Sequence, residues 1–121
     1  MIAMGTVATQ PLPADALVAF VKRACPTCTL IEKEMARVAR EVDGFHVVSQ
    51  DDPRFPAGVN RIIDDRALDL SWLNNIEATP TLIRFDGGRE AERVEAWNRE
   101  GWRRLTGIAN LGESLPAFRP G

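Results

Sequence analysis

The run Ala16-Leu17-Val18-Ala19-Phe20-Val21 is apolar at every position. A strand wetted on one side alternates apolar and polar residues, so an unbroken run of this length predicts a strand covered on both faces. Helices must therefore lie on both sides of the sheet that holds it. The first of them follows at once. Ile31, Met35, Val38 and Val42 recur at spacings of four, three and four, an apolar stripe with Glu32, Lys33, Arg37, Arg40 and Glu41 around it. Pro26 suits the first helical position, where its missing N–H costs nothing, and Gly44 suits the stop. Phe45 to Ser49 then reads as a second strand. Strand, helix and strand within so short a stretch form a βαβ unit with a right-handed crossover.

Residues 51–60, DDPRFPAGVN, are loop by every local signal. A helical segment is expected from about Asp65 to Asn75, with Leu68 and Trp72 four apart. Thr81 to Phe85 is the third expected strand, Asp86-Gly87-Gly88 a hairpin turn, and Arg89 to Trp97 the fourth strand. Asn98 can cap a last helix that carries Trp102, Leu105 and Ile108 toward the sheet. The expected class is α/β, a mixed central sheet of about four strands flanked by helices on both faces. A chain of 121 residues fits one domain, here 16–111, with a lead-in at 1–15 and a tail or linker at 112–121. With 45% hydrophobic residues the core needs no disulfide staple.

A formal net charge of -2 argues against nucleic acid as a partner, and no apolar run approaches the roughly 18–20 residues of a membrane-spanning helix. Met1 to Pro13 carries neither Lys nor Arg, so a cytoplasmic location is expected. In a reducing compartment two cysteines three apart, Cys25 and Cys28, are redox-active or metal-binding before they are structural, and a staple across so small a loop would add little. A thiol at the start of a helix meets unpaired N–H groups that favour its thiolate, and Lys22 and Arg23 are placed to help. Cys25 is accordingly read as the nucleophile and Cys28 as the resolving thiol. A zinc site needs about four ligands, whereas His46 is the only histidine and is read as a packing or surface residue. A metal site shared between subunits, or a soft metal held by two thiolates, stays open. Asp51, Asp52, Asp64, Asp65 and Asp69 fit no calcium loop and are read as solvated. Trp72, Trp97 and Trp102 are read as core or edge packing, with Trp72 as an alternative lining for a groove near the cysteines.

The segment ALVAFVKRACPTC, followed some fifty residues later by ATPTLIRFDGG, resembles the thioredoxin family in order and spacing over roughly residues 16–110. The resemblance implies a thioredoxin-like fold in which Pro80 is cis and lies against the cysteine pair. It also implies that the backbone of Thr79 pairs with bound substrate. Pro26, Thr27, Thr79 and Pro80 are thus the expected substrate-binding residues beside the catalytic Cys25 and Cys28. The sequence departs from that family at four places, one of them a stretch of roughly ten extra residues between the second strand and Pro80. Ala19 stands where the family has a buried acid, Ala24 where it usually has Trp, and Pro-Thr where it has Gly-Pro between the cysteines. Pro after the first Cys is more similar to glutaredoxins and bacterial disulfide-bond oxidants.

The expected function is thiol–disulfide exchange with protein disulfides, without an organic cofactor or a resident metal. A recycling partner, a flavin reductase or glutathione, would supply electrons, and the chain is expected to act as a monomer. The alternatives are a binding or delivery module for a partner enzyme and a metal carrier using two thiolates.

Overall fold

The computed structural model describes residues 12–121, so most of the 1–15 lead-in lies outside the described residues. The elements in chain order are β1 (Ala16–Val21), α1 (Pro26–Leu30), α2 (Glu32–Glu41), β2 (Phe45–Ser49), β3 (Ile62–Asp64), α3 (Asp69–Leu73), β4 (Thr81–Asp86), β5 (Arg89–Glu95), β6 (Trp97–Asn98), α4 (Arg99–Thr106) and β7 (Phe118–Arg119). The main sheet runs β3-β2-β1-β4-β5, with β6 and β7 forming a separate two-stranded pair. β1 is parallel to β2 and antiparallel to β4, and β4 and β5 form an antiparallel hairpin. Gly87 and Gly88 at its tip both have positive φ, 59° and 83°, the conformation that a tight hairpin asks of both central residues.

The apolar run of β1 is buried along its whole length and divides by parity, as the pleat requires. Leu17, Ala19 and Val21 face a core shared with Cys28, Ile31, Met35, Val38, Trp97, Trp102 and Leu105, which covers the sheet with α1, α2 and α4. Ala16, Val18 and Phe20 face the other way, into a smaller core with Val48, Ile63, Ile83 and Leu70 of α3. Trp97 and Trp102 stack obliquely in the larger core, ring centroids 5.5 Å apart at 49°.

Four elements differ from the sequence expectation. The sheet has five strands rather than about four, because Ile62-Ile63-Asp64 pairs in parallel with Val47-Val48-Ser49. Such a short run, next to a loop rich in Pro, Gly and Asp, carries no periodicity to announce it. The helix after the cysteines divides at Ile31, whose backbone (φ -100°, ψ 14°) leaves the helical region while its side chain is drawn fully into the core. Thr27, Cys28 and Thr29 are weak helix formers and offer little resistance to the break. α3 is shorter than Asp65–Asn75. Asp65 stays outside it and accepts hydrogen bonds from the Leu70 and Ser71 amides (both 2.9 Å) and from the Ser71 hydroxyl (2.7 Å). The expected fourth strand breaks at Ala96, whose φ of 68° turns the chain so that Trp97 and Asn98 pair with β7 instead.

α4 begins as its sequence suggests, with Asn98 Oδ1 accepting from the Gly101 amide at 3.0 Å. Residues 112–121, read as tail or linker, fold back over the body. Gly112 (φ 67°) packs so closely on Trp97 that a Cβ there would lie 2.3 Å from the indole ring, and Trp97 Nε1 donates to the Pro116 carbonyl at 2.8 Å. Phe118 and Arg119 then lie antiparallel to Asn98 and Trp97.

Candidate active site

β1 ends at Val21, and four residues later the chain enters α1 through Cys25. Cys25 is the N-cap. Its backbone is extended (φ -84°, ψ 118°), Pro26 starts the helix, and the Cys28 amide points back at Cys25 Sγ from 3.4 Å. A thiol in this position stands where Ser, Thr, Asp or Asn usually stand, accepting from the first unpaired amides of the helix. Both sulfurs are free thiols, Cys28 fully buried and Cys25 4% exposed.

The loop before the pair is held from the far side by Asp51, which its loop setting alone would leave in solvent. Asp51, just beyond β2, accepts from the Arg23 amide (2.7 Å) and the Ala24 amide (2.9 Å) with its two carboxylate oxygens. Asp52 binds the Arg23 guanidinium at 3.0 Å. The loop that presents Cys25 is thus tied to the end of β2. Nothing local announces this, since the partners are separated by 27 and 28 residues. Replacing Asp51 with Ala leaves two amides without a protein acceptor. It should lower stability by about 1 kcal/mol, the discount from a buried charged hydrogen bond reflecting its exposure. A denaturant midpoint that does not move would remove Asp51 from this role.

The third wall comes from the segment before β4. The Thr79–Pro80 peptide bond is cis, and the Thr79 carbonyl lies 3.4 Å from Cys25 Sγ. The Thr81 hydroxyl fixes the turn by donating to the Ala78 carbonyl at 2.8 Å. The structure therefore brings Cys25, Pro26, Thr27, Cys28, Thr79 and Pro80 to one end of the sheet. Trp72 does not join them. It is 78% exposed and lines a shallow surface depression with Ala67, Leu68, Asp69 and Leu73, not a core or an edge. His46 stands apart, its Nδ1 3.0 Å from the Gly44 carbonyl oxygen.

The two thiols differ electrostatically. Burial pushes Cys25 up, but the Cys28 and Thr27 amides and the Cys28 and Thr79 side chains outweigh it, and the net direction is down from the ordinary 9.0. The contact with the Thr79 carbonyl suits the protonated thiol only. On ionisation Cys25 keeps its amide donors and loses that bond. The charges of Lys22 and Arg23, expected to help, are not among the causes, and the Arg23 guanidinium is engaged by Asp52. Burial pushes Cys28 the other way, up to about 12, and the charge on Cys25 adds to the rise. Ala19 is fully buried in the same core as the cysteines and supplies no proton acceptor. Among the described residues the buried carboxylate is Asp65, capping α3 on the opposite face of the sheet. Such a pair can hold one reactive thiolate beside one protonated, shielded thiol. Among the described residues no three of His, Cys, Asp or Glu gather as a metal-binding group, so the two sulfurs are the donors on offer to a metal here.

No protein-family model matches the sequence, and no curated protein matches it. Solved structures do resemble the fold. A secreted Mycobacterium tuberculosis disulfide oxidoreductase homologous to E. coli DsbE superposes with a TM-score of 0.62 at 14% identity, over 79% of this chain and 83% of that one. A putative thiol:disulfide interchange protein DsbE from Chlorobium tepidum gives 0.60 at 19% identity, over 84% and 82%. Mitochondrial thioredoxin 3 from Saccharomyces cerevisiae, in its oxidised form, gives 0.55 at 14%, over 81% and 79%. At these identities the likeness is one of fold: the chain has the thioredoxin fold.

Proposed function

We propose that this thioredoxin-fold chain is a thiol–disulfide oxidoreductase that exchanges electrons between the Cys25–Cys28 pair and disulfides of other proteins. The observation that carries the reading is the asymmetry of the two thiols. One is an N-cap whose ionisation is eased by amide donors, and the other is buried one turn later with its proton held up to about 12. In the reducing direction the Cys25 thiolate attacks one sulfur of a substrate disulfide. A Cys25–substrate disulfide forms and the other substrate sulfur leaves as a thiolate. Cys28 then loses its proton and attacks Cys25 Sγ. The second substrate sulfur leaves, and the protein is left with a Cys25–Cys28 disulfide. Two electrons have passed to the substrate, and the proton from Cys28 goes to solvent or to the departing thiolates. A flavin reductase or glutathione would return the two electrons.

Equilibration of the pair against glutathione buffers tests this. A disulfide should form between Cys25 and Cys28 at a defined potential. A value near about −270 mV would make the protein a reductant, and one near about −120 to −180 mV an oxidant or isomerase. If no intramolecular disulfide forms at any poise, the enzymatic reading fails and a binding or delivery module takes its place.

A further inference from the structure

The approach to Cys25 is occupied by the chain itself. Upstream of the site the returning segment is well anchored: Arg99 donates from its backbone amide to the Ala117 carbonyl (2.9 Å) and from its guanidinium to the Leu115 carbonyl (2.8 Å). Beyond Ala117 the hold changes. Arg119 and Phe118 pair with Trp97 and Asn98, the Pro120 carbonyl accepts from the Thr27 hydroxyl at 2.5 Å, and Gly121 lies against the Thr79 backbone. A Cβ on Gly121 would fall 1.7 Å from the Thr79 carbonyl oxygen, the atom that itself contacts Cys25 Sγ. Thr27 and Thr79 each contact the Cys25 thiol, through the Thr27 amide and the Thr79 carbonyl, so the segment sits against both of its neighbours. Cys25 is buried although it sits at the outer end of the sheet.

We propose that Phe118–Gly121 is a strap laid in the protein's own substrate groove, and that an extended segment of a partner protein takes its place during exchange. Two features fit a displaceable occupant. The strap's residues are exposed, Phe118 included, so little apolar burial holds them down. Its contacts with the site are made by backbone, which any extended polypeptide can reproduce, except where the close approach to Thr79 asks for glycine or another residue with no bulk toward that carbonyl. The groove is thus a strand-accepting edge formed by Trp97-Asn98, Thr27 and Thr79, and the strap lowers access to Cys25 by the fraction of molecules in which it is seated.

The name substrate groove rests on the oxidoreductase reading, but the strap can be tested without turnover. The reduced full chain would be alkylated with iodoacetamide across pH, giving the limiting rate of the Cys25 thiolate apart from its ionisation. Two variants would be compared with it: a chain ending at Ala117, which keeps the Pro116 and Ala117 anchors, and full-length Gly121→Val. Thermal melts would confirm that both are folded. A strap seated in nine molecules of ten predicts a limiting rate about tenfold higher in both variants. A limiting rate unchanged in either variant, or a rise due only to a shifted ionisation, would overturn the strap. Failure of the full chain to form its disulfide would instead count against the oxidoreductase reading and leave this result standing.

Discussion

With a disulfide-linked reporter thiol attached to Cys25, release of the reporter by Cys28 should accelerate by up to about tenfold per pH unit and keep rising past pH 9. The attacking species is the Cys28 thiolate, and burial keeps that thiol protonated, pushing it up to about 12 in the dithiol form. In the mixed disulfide Cys25 no longer carries a charge, so its contribution to the rise disappears. The burial remains, and it is the larger cause. Below the pKa the thiolate fraction grows tenfold per unit of pH, which sets the slope. Attack should therefore be slow at neutral pH and mixed disulfides long-lived. Ala19 offers no base in this core, and the Asp65 carboxylate is occupied on the other face of the sheet. Cys28→Ser should leave the reporter bound at every pH, and Cys25→Ser should reduce turnover of a protein disulfide to the rate without protein. A release rate that levels off by pH 8 would mean that a proton acceptor serves Cys28 after all. Turnover surviving Cys25→Ser would remove Cys25 as the nucleophile.

The parts of the site visible in the sequence are those whose cause is local. Six apolar residues in a row, too few for an ordinary helix, point to a doubly covered strand, and β1 is buried throughout. Pro26 after Cys25 marks a helix start, Asp86-Gly87-Gly88 marks a hairpin, and Asn98 caps α4, each because a backbone geometry selects those residues within a few positions. What escaped is set by partners far along the chain. Asp51 looks like any loop aspartate until the fold brings Arg23 and Ala24 to it. Asp65 reads as the first residue of a helix but acts from outside as its cap. Phe118 and Arg119 are placed by main-chain pairing with Asn98 and Trp97, and main-chain hydrogen bonds leave no trace in residue identity. Trp72 was legible only as apolar. Its exposure follows from the face of α3 on which it falls, since Leu70 and Ser71 take the buried side.

Trp97→Ala should cost about 3–5 kcal/mol, a large part of the ordinary stability of a domain this size, and should also unseat the segment over the site. The indole is fully buried in the core that holds both cysteines. It stacks against Trp102, takes Gly112 onto its edge and donates from Nε1 to the Pro116 carbonyl. Its removal opens a cavity and leaves that carbonyl without its partner, so the loss combines packing with an unmet hydrogen bond. Trp97→Phe separates these contributions. It keeps most of the ring volume and loses the N–H, so it should cost much less, about 1–2 kcal/mol. Both variants are read by chemical denaturation with the slope monitored for two-state behaviour. If Trp97→Ala destabilised the protein by less than about 1 kcal/mol, this side chain could not be what joins the core to the returning segment. The loss of stability and the opening of Cys25 are expected together, because one side chain forms the floor of the core and the anchor of the chain that crosses the thiol.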